Sequence, residues 1–93
     1  MPKFLVVHAP LPAPATLQEA TPLGKKVKAN STLEAYWVRS WCQLNKEGKI
    51  VRIYCEWNAV DAESVRKVLA KAIPELPVDG IYPMMIVDSE DYR

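Results

Sequence analysis

Apolar and polar positions divide the chain into segments of different period. KFLVVHA, Lys3 to Ala9, is short, rich in branched residues and stopped by the proline cluster PLPAPA, which is the pattern of a strand entering a loop. Thr16 and Glu19 have capping-box spacing, but Pro22 falls inside the segment that follows. The first helix is therefore expected to be broken, or to start late with Thr21 as a second N-cap and Pro22 at its first helical position. LEAYWVRSWCQL and KIVRIYCEW, both dense in aromatic and β-branched residues, flank the turn NKEG and predict a long hairpin. Asp61 is a natural N-cap, and Val65, Val68, Leu69, Ala72 and Ile73 recur at helical spacing until Pro74 stops them. LPVDG reads as a loop and IYPMMIVD as a last strand, whose Pro83 removes a ladder donor and so marks a sheet edge or a bulge.

The resulting order is βαββαβ. Two split β-α-β units of this kind predict an α+β, ferredoxin-like sandwich, a four-stranded antiparallel sheet with two helices on one face and the other face bare. Setting Leu44 opposite Lys49 across NKEG puts Cys42 opposite Val51 and Val38 opposite Cys55. One hairpin face then holds Tyr36, Val38, Cys42, Leu44, Val51, Ile53, Cys55 and Trp57 and suits the apolar stripe of the second helix. The other holds Trp37, Arg39, Trp41, Gln43, Arg52, Tyr54, Glu56 and Asn58. Trp41 is expected to stack on Arg52, and Trp37 to lie opposite Glu56. His8 shares its parity with Phe4 and Val6, but Leu5 and Val7 are equally apolar, so the pattern leaves its face open.

Size and charge narrow the function. Ninety-three residues, 49% of them hydrophobic, predict a single domain over residues 1–93. The net charge of +1 speaks against a phosphate-neutralising protein. An RNA-recognition module shares the βαββαβ order, and Trp41 and Tyr54 could stack bases, but KIVRIYCEW lacks the basic-Gly-aromatic signature, so no nucleic-acid partner is expected. No apolar stretch is long enough to span a bilayer, no leader pattern is present, and Cys42 and Cys55 form no C-x-x-C pair. The expectation is a cytoplasmic protein with free thiols and no membrane partner. There is no Ser-His-Asp order, glycine-rich phosphate loop or paired-cysteine zinc motif.

A bare sheet face carrying indoles, a phenol and alternating charges needs a partner. A second copy of the chain supplies one if the two sheets face each other as a dimeric α+β barrel around a partly polar cavity. The expected function read from this face is a homodimer that binds a small molecule there, with Arg39, Trp41, Tyr54 and Asn58 as ligand-binding residues. Arg39 would serve as a fixed cation for a carboxylate and Trp41 as an apolar wall. The alternative is a cofactor-independent monooxygenase or isomerase of the same barrel type, with His8 or Glu56 as base and Arg39 or Asn58 stabilising an enolate.

MPKFLVVHAP, WVRSW, IYCEWNA and LPVDGIYPM, in this order along nearly the whole chain, resemble a family of small bacterial ferredoxin-like domains of largely unknown function that includes nickel-binding members. The resemblance implies a homodimer and picks out His8, Arg39 with Ser40, and Cys55. It also implies that His8 faces the barrel cavity, so that the homodimer would bind nickel or another divalent transition metal there as well as, or instead of, a small molecule, with His8 and Glu56 as metal ligands. Asn58 departs from the pattern, standing where relatives tend to carry a glutamate, and SVRKVLAKAI lacks the histidine often seen in their second helix. One His and one Glu per chain would need the dimer mate to complete a site.

Overall fold

The computed structural model describes residues 1–92, with β1 Lys3–His8, α1 Leu17–Asn30, β2 Ala35–Leu44, β3 Ile50–Ala59, α2 Ala62–Ala72, β4 Val78–Met84 and a 3-10 turn at Ser89–Tyr92. All neighbouring strands pair antiparallel in the order β2-β3-β1-β4, and the helices cover one face, so the expected ferredoxin-like α+β architecture is present. Among the described residues no helix is long and apolar enough to cross a membrane.

α2 forms where its pattern predicts. Asp61 accepts the Ser64 N–H at 2.8 Å, and Val65, Val68, Leu69 and Ala72 are buried against Phe4, Val6, Cys55 and the fully buried Trp57. α1 departs from expectation. It runs unbroken from Leu17 through Pro22, because Thr16 and Glu19 make the full capping box and the Thr21 hydroxyl donates to the Leu17 carbonyl at 2.8 Å. Pro22 removes one backbone donor near the start of the helix and leaves the later turns intact. Along α1 only Val27 is buried.

The last strand also differs from expectation. It begins at Val78, inside the segment expected to be loop, and ends at Met84, opposite Lys3, where β1 has no further residue to pair with. Its edge position agrees with Pro83.

The hairpin register is the largest correction. Gly48 adopts φ 78°, the Gly48 N–H donates to the Asn45 carbonyl at 3.0 Å, and the Asn45 N–H donates to the Lys49 carbonyl at 2.9 Å, so Leu44 pairs with Ile50 rather than Lys49. Val51 is then an extra residue in β3, since Gln43 pairs with Arg52, and the two steps shift the pairing by two: Ser40, not Val38, lies opposite Cys55. A shift of two preserves faces. Val38 is an extra residue in β2, between the pairs Trp37–Trp57 and Arg39–Glu56, and this second bulge exchanges the faces of the three β2 residues before it. Trp37 turns to the helices and Tyr36 to the open face, the reverse of the strict alternation assumed from the sequence.

Gly48 occupies the left-handed region that a side chain disfavours, so Gly48→Ala should lower stability by about 1–2 kcal/mol. Urea denaturation should show a lower midpoint at unchanged slope.

Candidate functional site

The open face is a grid of cross-strand rows. One runs Arg39, Glu56, Leu5, Tyr82, the next Tyr36, Asn58, Lys3, Met84, and the third Trp41, Tyr54, Val7, Gly80. Glu56 lies at the centre of the first and is only 8% exposed, a burial that an unpaired carboxylate would resist. Two cations offset it: the Lys3 ammonium on Oε2 and the Arg39 Nε at 3.1 Å from Oε1. Lys3 also donates to Asn58 Oδ1 at 2.8 Å, and Asn58 Nδ2 donates to the Tyr36 hydroxyl at 3.1 Å, so the network ties β1, β2 and β3 together.

Beside this network is a groove of about 310 Å³ lined by Lys3, Leu5, Arg39, Trp41, Glu56, Met84, Met85 and Ile86. Of the residues expected to bind a ligand, Arg39 and Trp41 line it together with Glu56. Tyr54 and Asn58 share the face without lining the groove: Tyr54 donates to Gln43 at 3.0 Å, and Asn58 is held by Lys3 and Tyr36. Met84, Met85 and Ile86 escaped the sequence reading because apolar residues at a strand end resemble core filler until the topology folds them over β1. Arg52 stacks on Tyr54 at 5.8 Å instead of on Trp41, since the register puts Trp41 opposite Tyr54. Arg52 also donates to the His8 carbonyl at 2.9 Å and to Asp79 at 2.6 Å.

The profile of a family described as "Nickel responsive protein SCO4226-like" matches residues 4–84. The chain belongs to this family. No curated protein and no solved structure matches it.

In this SCO4226-like chain, the residues picked out by resemblance divide between the two faces of the sheet. Arg39 points outward to Glu56. Its neighbour Ser40 points inward, accepting the Trp37 Nε1–H at 2.9 Å and sharing a hydrogen bond with the Cys55 sulfur at 3.0 Å. Burial pushes the Cys55 thiol up to about 11, so it stays protonated at neutral pH. His8 also turns inward. It is 1% exposed, continues the buried alternation of Phe4 and Val6, and lines the space under the helices, which corrects the expectation that it faces the outer cavity.

The sheet therefore separates His8 from Glu56. They cannot share an ion within one chain, and a mate docked on the open face cannot reach His8 behind it. Nickel is held by imidazole, thiolate and carboxylate donors. Among the described residues no three His, Cys, Asp or Glu side chains gather to supply them, and the carboxylate of Glu56 is already engaged by Lys3 and Arg39. These residues do not fit a nickel chelate. The acid-base pairing of His8 with groups on the open face fails for the same reason.

Burial lowers the pKa of His8 below its ordinary 6.5, outweighing the Pro77 and Leu76 carbonyls and the Asp79 carboxylate, which favour the imidazolium. The unfolded chain takes up a proton near the ordinary value and the folded chain only at lower pH. The stabilisation is therefore complete above the unfolded pKa and is lost as pH falls toward the folded one. The urea midpoint should drop between about pH 7 and pH 5.5, and His8→Gln should flatten that slope. For the charge network, a double-mutant cycle of Lys3→Met and Glu56→Gln should give a coupling of about 1–2 kcal/mol by denaturation, since Glu56→Gln takes the carboxylate from the largely buried Lys3 ammonium and Lys3→Met leaves Glu56 with Arg39 alone.

Proposed function

We propose that the protein is a cytoplasmic homodimer in which two open sheet faces meet, and that the groove beside Arg39 binds a small organic anion. The observation that carries the reading is the placement of Arg39. Its Nε rests on Glu56, which fixes the side chain, while the side chain is 65% exposed at the edge of an apolar groove. A guanidinium held by one nitrogen keeps donors free for a carboxylate. Lys3 and Arg39 against Glu56 leave the groove one positive charge in surplus, and Trp41, Leu5, Met84 and Ile86 supply apolar walls.

A second copy is the partner that fits the rest of the face. Trp41 is 52% exposed and Tyr82 51%, with Met84 close to these values and Tyr36 at 39%, so the open face carries a broad apolar surface interrupted by the compensated charge row. Such a surface suits a self-complementary interface, in which buried aromatic residues contribute most of the affinity. Two unpaired cysteines, Cys42 and Cys55, support a reducing compartment. Of the two ligand classes expected from the sequence, an organic acid suits the donors that line the groove and a metal does not. The nickel relation in the family's name thus attaches to this chain without a chelate on the open face.

Light scattering should report a dimer, and Trp41→Glu, which adds a charge to the apolar surface, should give a folded monomer. Benzoate titrated into the dimer by calorimetry should bind, and Arg39→Gln should weaken it about tenfold or more, the value of a charge-assisted hydrogen bond. A monomeric parent protein, or stoichiometric nickel binding lost in both His8→Ala and Glu56→Gln, would overturn this reading.

A further inference from the structure

On the helix side of the sheet lies a larger space, a cavity of about 490 Å³ between α1 and the strands. Its walls are mostly apolar, with Leu23 and Val27 from α1, Ile53 and Trp57 from β3, and Leu69 and Ile73 around α2. The space is propped open by a pillar. The Trp37 indole stands between sheet and helix, its Nε1–H tied to Ser40 at 2.9 Å, and a Cβ at Gly24 would sit 3.5 Å from its ring carbon Cη2. A glycine facing an anchored indole lets α1 rest on the ring edge, and the cavity opens beside that contact.

Two buried polar atoms in the residues that line this cavity have no hydrogen-bond partner in the chain, Trp57 Nε1 and His8 Nδ1. Trp57 is 0% exposed and His8 1%. Nearly all buried donors and acceptors in folded proteins are satisfied, so an unpaired polar atom on each of two residues of one cavity wall is a feature that a bound group would complete. An indole N–H can only donate, whereas a neutral imidazole has one donor and one acceptor nitrogen. A hydroxyl can serve both, accepting from the indole and either donating to or accepting from the imidazole. Lys25 and Lys28 belong to the α1 rim, where long side chains keep their ammonium groups in water, so the interior itself holds no fixed charge for an anion.

We infer that this cavity is a second ligand site, distinct from the groove on the open face, for a small neutral molecule of the phenol class: a flat apolar body with one hydroxyl. Its volume lies within the usual range for small-molecule sites, about 300–1,000 Å³. The hydroxyl accepts from Trp57 Nε1, and the ring packs among Ile53, Val27 and Leu69.

Indole N–H resonances provide the test, because the chain has three tryptophans, each in a different setting: Trp37 bonded to Ser40, Trp41 on the outer face, and Trp57 unpartnered. With 1-naphthol as the probe and Trp57→Phe to assign the signal, the Trp57 resonance should move downfield saturably while that of Trp41 stays in place. Trp57→Phe should weaken binding about tenfold, as judged by the Ile53 methyl shift, through loss of one hydrogen bond. Ala20→Leu, on the α1 wall of the cavity, enlarges a lining side chain without replacing either polar residue, and it should remain folded and abolish the saturable shift. A Trp57 resonance unmoved by saturating 1-naphthol means that water alone satisfies the indole and overturns the inference. Undiminished binding in a folded Ala20→Leu protein overturns it too, as does tighter binding of 1-naphthoate than of 1-naphthol.

Discussion

Val38 has no partner residue on β3, and that single unpaired position in β2 governs both faces of the sheet. A strand of uniform pleat would alternate without interruption from Ala35 to Leu44 and place Trp37 on the same side as Arg39. The bulge between them turns the earlier half of β2 over. Trp37 goes beneath the helices, where it meets Trp57 across the ladder and stands under Gly24, while Tyr36 joins Asn58 on the open side. Arg39, immediately after the bulge, comes opposite Glu56. One extra residue thus supplies the indole that holds α1 away from the sheet and the guanidinium that compensates the buried acid.

The compensated acid links the strands in a way that hydrogen-bond ladders alone do not. Glu56 on β3 joins Lys3 on β1 to Arg39 on β2, so removing the carboxylate leaves two cations facing each other without their common partner. Ion pairs in such places contribute less to stability than to choosing one arrangement over its neighbours. A shift of the hairpin by two residues would keep the faces from Arg39 onward correct and bring Tyr54, in place of Glu56, opposite Arg39. The charge row, with the turn at Gly48, distinguishes the observed register from that neighbour.

That near-degeneracy explains which features the sequence shows and which it conceals. Asp61, the stripe from Val65 to Ile73 and the edge position marked by Pro83 are local signals, each carried by neighbouring residues, and the structure agrees with all three. The outward placement of Arg39, Trp41, Tyr54, Glu56 and Asn58 was also legible, because a shift of two leaves parity unchanged. The bulges at Val38 and Val51 were not, since valine is at home in a regular strand and nothing in its neighbours announces an extra residue. Pro22 argued against a continuous helix but was outweighed by the capping box at Thr16. His8 was ambiguous because Leu5 and Val7, apolar yet on the open face, match the buried Phe4 and Val6 in character; only the third dimension separates them.

The two outer strands carry a further consequence. β2 and β4 form the margins of the sheet, and each is interrupted along the side where another strand could add: β2 by the irregularity at Val38, β4 by Pro83, which has no amide hydrogen to offer. A neighbouring molecule approaching edge-on meets a broken line of donors and acceptors and cannot extend the ladder. Strand-by-strand growth, the route by which exposed sheets polymerise into fibrils, is blunted at both ends. The sheet thus combines a broad apolar face with two edges that discourage lateral strand addition.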